Sequence, residues 1–217
     1  MTEILFSFID LPYLQFDRTE LLSVFDAYAQ PLYSLSQTNK PEGTKVAYWK
    51  GMTVYSSQTP STNDGTNLGS DVFEFTNHYD VFNEKFPFFY EYMKLLPFDS
   101  LSRIQLWENI LPVPFHKDVN LPPTEVDYNF RIMLLHDSPK PTFIMRKGDE
   151  RFEPTWNQTS NVFVYNNKSA EHGSLLQPGR KILTVINGHF NIDKCLELVN
   201  TSAKKYKDYA WVIQLVE

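Results

Sequence analysis

Beyond residue 100 the chain is written in short β-prone runs set between turn residues. Arg103–Trp107, Val113–Val119, Phe130–His136, Thr142–Arg146, Val162–Tyr165 and Lys181–Asn187 are each four to seven residues long, with Pro, Gly, Asn and Asp between them. Their number and spacing predict a two-sheet jelly roll or barrel, with alternate side chains facing a shared interior. The expected class is mainly β, a double-stranded β-helix of the cupin-like kind, carried by one domain over residues 1–217. Within it, residues 1–100 form a helical and β support region and residues 101–190 the jelly-roll core. Residues 191–217 close the fold with a helix over Asn191–Lys207 and a last strand over Trp211–Val216.

The support region has its own signals. An extended apolar segment, broken at Pro12, precedes Asp17-Arg18-Thr19-Glu20, where an N-cap and a Glu three residues on open a helix that ends before Pro31. Val46–Trp49 and Met52–Tyr55 flank Lys50-Gly51 and resemble a hairpin. Residues 37–43 and 60–69 are polar and read as loops. Phe86, Phe89 or Tyr90, and Met93 recur at helical spacing after Pro87, so a helix with a core-facing aromatic stripe is expected there.

Composition narrows the functional classes. With 42% hydrophobic and 15% aromatic residues the chain has ample material for a core. A formal net charge of −6 argues against nucleic acid as the main partner. Lys204, Lys205 and Lys207 cluster, but on a helical pattern that reads as a solvated face. The single cysteine, Cys195, excludes an internal disulfide and a thiolate zinc site, and a buried helix thiol is expected. No apolar run is long enough to predict a membrane span, and no basic-then-apolar leader is seen, so a cytoplasmic setting is expected.

The chemistry centres on Val113-Pro114-Phe115-His116-Lys117-Asp118. On a strand, His116 and Asp118 point to the same side. His172 would complete a set of two imidazoles and one carboxylate on one face of a metal, leaving positions open for other ligands, an arrangement suited to non-haem Fe(II). Arg180 follows His172 by about eight residues, the reach of a turn and the start of the next strand. A fixed cation there suits a carboxylate in the same cavity. Taken alone, His-x-Asp is also what a surface turn produces; the combination with His172 and Arg180 gives it weight. His78, His136 and His189 read as loop or turn residues.

These residues resemble the 2-oxoglutarate/Fe(II)-dependent oxygenases, and within them the aspartyl/asparaginyl β-hydroxylase-like group, which includes proline hydroxylases. The similarity runs over residues 95–190, through Leu95-Leu96-Pro97, Arg103 to Asp118, Val162 to Asn167, Glu171-His172-Gly173 and Gly179 to Leu183. It implies a double-stranded β-helix with Fe(II) held by His116, Asp118 and His172. It further implies 2-oxoglutarate chelating the iron, with its far carboxylate on Arg180 and with Arg131 helping to hold co-substrate or substrate. The implied reaction consumes O₂ and hydroxylates a C–H bond of a small molecule or peptide, an amino-acid unit by family analogy, with succinate and CO₂ as co-products. Two departures stand out. Met133 occupies a position where the family often has His, and Pro112-Val113-Pro114 replaces a turn that usually carries Gly.

A pocket for such chemistry must exclude water, and Trp107, Met133 and Ile182 are candidate walls, with Asn166 or Asn167 as candidates to orient the imidazoles. Two other readings remain open at this point. One is a cupin-like metal enzyme that does not use 2-oxoglutarate, and the other is a non-catalytic jelly-roll binding module. The oligomeric state is not legible.

Overall fold

The computed structural model describes residues 2–34, 46–57, 77–117, 128–138, 142–156, 159–176 and 178–214. The described strands are β1 (Thr2–Phe8), β2 (Gln30–Ser34), β3 (Val46–Ser56), β4 (Phe98–Asn109), β5 (Val113–His116), β6 (Tyr128–His136), β7 (Phe143–Lys147), β8 (Glu150–Phe152), β9 (Val162–Asn166), β10 (Glu171–Ser174), β11 (Lys181–Phe190) and β12 (Trp211–Gln214). The helices are α1 (Arg18–Tyr28), α2 (Tyr79–Lys85), α3 (Pro87–Met93) and α4 (Ile192–Lys205). The strands form two antiparallel sheets. The larger runs β12-β1-β9-β6-β11-β4-β3-β2 and the smaller β5-β10-β7-β8. The protein is mainly β with supporting helices, as the run pattern predicts.

Strand alternation gives the larger sheet two distinct faces. On one, Ile104, Leu106, Phe130, Ile132, Val162, Val164, Ile182 and Ile186 meet the helices through Leu21, Phe25, Phe82, Phe89 and Val199. On the other, Met133, Phe163, Tyr165 and Leu183 meet Phe143 and Met145 of the smaller sheet. Phe143 packs on Phe163 at 5.5 Å and on Tyr165 at 5.0 Å between ring centroids, so the small sheet lies directly over the larger one. Burying one such ring stabilises by roughly 2–3 kcal/mol.

Local chemistry explains the element ends. Asp17 Oδ1 accepts from the Glu20 amide at 2.8 Å and opens α1, as expected from the sequence. Asn191 caps α4 in the same way through the Lys194 amide at 3.1 Å. Cys195 is buried in α4, and burial pushes its thiol up to about 12. The aromatic stripe is core, with Phe82, Phe86 and Phe89 fully buried, but it spans two short helices that break at Phe86, before Pro87.

Two expectations are corrected. Lys50-Gly51 is not a turn; it lies inside the single strand β3, with Gly51 paired to both Gln30 and Trp107. A two-residue hairpin of that kind needs positive φ, and Gly51 is not among the positive-φ glycines. The described strand that begins at Val113 ends at His116 rather than Val119. Strands β2, β8 and β10 were not anticipated. The loops read over 37–43 and 60–69 lie outside the described residues.

Candidate metal and anion site

His116 and His172 come together by register. In the β5–β10 pair His172 sits opposite His116, and the two imidazole centroids are 4.3 Å apart. Ser174 pairs with Val113, so three residue steps on β5 span two on β10, a bulge that aims His116 at its partner. The strands approach closely there: a Cβ on Gly173 would lie 2.8 Å from the Val113 carbonyl oxygen. His172 also faces Met145 of β7, an inward residue of the second core. Its ring packs on Tyr165 at 4.8 Å and Phe143 at 6.0 Å. Both histidines therefore border the space between the sheets.

The Nδ1 of His116 is 2.8 Å from the Pro114 carbonyl oxygen. A carbonyl only accepts, so Nδ1 carries the proton and Nε2 bears the lone pair, the usual way a backbone group prepares an imidazole for a metal. The Pro112-Val113-Pro114 departure thus supplies the orienting carbonyl. Asp118, the third expected ligand, lies outside the described residues. Among the described residues no three of His, Cys, Asp and Glu gather as a metal site. The two imidazoles, one with its tautomer fixed, are the described part of the expected ligand set.

The expected cations divide between the two faces of the larger sheet. Arg131 is buried and points inward, as expected. Its guanidinium donates to the Tyr165 hydroxyl at 3.2 Å and to the Phe130 carbonyl at 2.9 Å, over the Tyr165 ring. Tyr165 thus stands between Arg131 and His172. Arg180 faces the other way. It forks onto Glu108 at 2.5 and 2.7 Å and onto Asp26 at 2.6 and 2.8 Å, on the helix side. Lys50 joins both carboxylates at 2.9 and 3.1 Å. The expectation that Arg180 shares the histidine cavity is therefore corrected, and the reason is strand parity: one residue on, the side chain changes face. Ile182, which shares the face of Arg180, is likewise helix-side core rather than a cavity wall.

The residue at this turn that enters the inner face beside Arg131 is Lys181. It is 6% exposed, and its Nζ donates to Ser174 Oγ at 2.8 Å. Ser174 follows His172 by two residues, on the same side of β10 and about 7 Å along the strand. No carboxylate pairs with Lys181 or Arg131 among the described residues. Burial pushes the Lys181 ammonium down to about 7. His136, its partner across the ladder, is pushed down to about 4, by burial first and then by the Lys181 charge, and so stays neutral.

Trp107 and Asn109 add donors on the inner face. The Trp107 Nε1–H and the Asn109 side-chain amide are buried with no hydrogen-bond partner among the described residues. Trp49 pairs with Asn109 and packs on Trp107 at 5.0 Å, which puts all three on one face of the sheet. The β4–β11 ladder opens at Ile182–Glu108, so Lys181 and Asn109 each lie one residue beyond its first pair. Leu183, on the same face, pairs with Trp107. A buried ammonium beside unmatched N–H groups is a setting for an anion, because an acceptor there satisfies donors that are otherwise costly to bury.

Asn166 serves a turn instead of an imidazole. Its Oδ1 accepts from the Lys168 and Ser169 amides at 3.1 and 3.0 Å, and its amide reaches Glu3 at 3.2 Å. His78 precedes α2, and His189 is exposed near the end of β11. Lys181 is the residue that sequence reasoning passed over. The signal was the adjacent pair Arg180-Lys181, in which only the strand's parity decides which cation enters the cavity.

Comparisons with known proteins complete the description. No protein family matches the chain, and no curated protein matches it. Among solved structures it is similar to an oxidoreductase of the 2OG-Fe(II) oxygenase family from Burkholderia pseudomallei. That likeness has 14% identity and a TM-score of 0.42, and covers 82% of this chain and 84% of the other. A likeness of this size decides neither fold nor chemistry, which are read here from the chain's own residues. No described helix is long and apolar enough to cross a membrane.

Proposed function

We propose that this chain is an Fe(II)- and 2-oxoglutarate-dependent dioxygenase that hydroxylates a C–H bond of a small molecule or peptide. One observation carries the reading: a registered pair of histidines lies on the same side of β10 as Ser174, whose hydroxyl holds a buried lysine with no described carboxylate partner. Strand order supports the jelly-roll part. Numbering β4 to β11 from first to eighth, one sheet runs sixth-third-eighth-first and the other second-seventh-fourth-fifth, the interleaving of two Greek keys.

In this reading His116, His172 and Asp118 hold the iron. Bound there, iron and the oxoacid supply an O₂-dependent oxidation in which 2-oxoglutarate becomes succinate and CO₂ while the substrate gains a hydroxyl. The protein binds, orients and excludes water. Pro114 fixes the His116 tautomer, and Tyr165 and Phe143 wall His172. Lys181, with Ser174, Asn109 and Trp107, takes the far carboxylate of the co-substrate, the role first expected of Arg180. Arg131 assists as the second buried cation, and Met133, Leu183 and Phe163 supply apolar wall.

Anaerobic addition of Fe(II) and then 2-oxoglutarate to the full chain tests this by visible absorption. A charge-transfer band is expected, absent in His172→Ala and weakened in Lys181→Met, with succinate formed once O₂ is admitted. Iron binding without a band would favour a cupin-like metal enzyme that uses no oxoacid. Failure to bind iron would leave a jelly-roll binding module.

A further inference from the structure

The Arg180 cluster lies one residue from Lys181 but on the opposite face. It unites three elements: Asp26 of α1, Lys50 of β3 and Glu108 of β4 all meet the guanidinium or its partners, and Phe25 lies beneath both cations. The backbone at this point is held as well. The Arg180 carbonyl accepts from the Asp137 amide at 2.9 Å, and the Asp137 carboxylate is paired with Arg18 of α1 at 2.6 Å. Gly179, at φ +94°, makes the tight entry, and a Cβ there would sit 2.9 Å from the Asp137 Cβ. The first residue of β11 is therefore pinned from the helix side, and that residue is Lys181.

We propose that Arg180 is a positioning residue whose clasp with Glu108 and Asp26 sets the start of β11 so that the Lys181 ammonium is held against Ser174 in the inter-sheet cavity. The forked geometry matters, since a planar guanidinium bonds two carboxylates at once where an ammonium offers a point charge. The consequence for co-substrate binding rests on the oxygenase reading; the placement of Lys181 does not.

The test uses the full chain, with lysines labelled at Cε and the Lys181 signal assigned by its loss in Lys181→Met. Arg180→Gln, Glu108→Gln and Asp26→Asn are each expected to move that signal in the same direction, with Arg180→Lys restoring it in part. In the anaerobic Fe(II)-loaded chain, calorimetry should show 2-oxoglutarate affinity falling about tenfold in Arg180→Gln and Glu108→Gln alike, the size usual for losing a supporting partner. The double variant should be no weaker than either single one. Iron affinity should not change. An unmoved Lys181 signal in all three clasp variants overturns the proposal. So does loss of oxoacid binding in Arg180→Gln with none in Glu108→Gln or Asp26→Asn, which marks Arg180 as a direct contact. A moved signal in a chain that binds no oxoacid in any form upholds the clasp and rejects the oxygenase reading. Oxoacid binding abolished by Lys181→Met but untouched by the clasp variants does the reverse.

Discussion

The two faces of the larger sheet treat positive charge in opposite ways. On the helix side, Arg180 and Lys50 meet Asp26 and Glu108, two cations with two anions, and the cluster is complete without help. On the inner side, Lys181 and Arg131 are more deeply buried and are offered hydroxyls and carbonyls but no described carboxylate. Folding alone favours the first arrangement, because an unpaired buried charge costs several kcal/mol. The second makes physical sense where a ligand brings the missing negative charge. Adjacent residues on one strand thus separate what holds the fold from what waits for a partner.

The largest test of this contrast removes one imidazole of the proposed metal site on the inner face. His172→Ala should lower Fe(II) or Mn(II) affinity by more than about a hundredfold, read by anaerobic titration, with little change in secondary structure by circular dichroism. Full metal affinity in that variant would reject the histidine pair as ligands.

Next come two charge-removing substitutions with opposite expected effects. Arg180→Met leaves Glu108, 9% exposed, facing Lys50 alone and should cost about 1–3 kcal/mol, less than breaking a fully buried pair because Arg180 is 27% exposed. Lys181→Met removes an uncompensated buried charge and should stabilise by about 1–3 kcal/mol. With roughly 2–4 °C per kcal/mol at this chain length, calorimetric melting temperatures should move apart in opposite directions. A fall of equal size in both would erase the contrast.

A pH series sharpens it. Lys181 titrates at about 7 in the folded chain, against about 10.4 unfolded. Below pH 7 both states are protonated and the full cost is present. Between about pH 7 and 10 the unfolded chain binds more protons, so stability rises with pH. Urea unfolding across that window should show the rise in the unaltered chain and lose the Lys181 share of it in Lys181→Met. The smallest effect lies on the other face. Arg180 beside Asp26 lowers its carboxyl to about 2, so its contribution is present above about pH 4 and is lost as pH falls through 2. Asp26 is 47% exposed, so no more than about 1 kcal/mol is at stake. Acid unfolding of Asp26→Asn should be correspondingly less steep.

Much of this architecture was legible in the residues. The β-prone runs beyond residue 100 became β4, β5, β6, β7, β9 and β11, because alternation and turn residues report local geometry directly. The Asp17 cap and the buried aromatic stripe followed from spacing alone. What stayed hidden depended on parity and on partners distant in sequence. Residues between His172 and β11 include Pro178 and Gly179, and their turn decides whether position 180 or 181 enters the cavity. Lys50-Gly51 looked like a turn because nothing local announces that β2 and β4 will pair on both sides of it. Strand β10, only Glu171–Ser174, was masked by a glycine, a residue that usually weakens a strand.

That glycine has a further consequence. At position 173 the chain does without a methyl group, and the space left is filled by the backbone of β5, whose Val113 oxygen would stand 2.8 Å from the missing atom. The spacing of the two imidazoles is thereby governed by main-chain contact, which is stiff, and not by side-chain packing, which yields. The helix-side core is assembled from other residues, while the second core touches the pair only through the Phe143 and Tyr165 rings against His172. A single added carbon there, as in Gly173→Ala, must push β5 and β10 apart where the two imidazoles face each other.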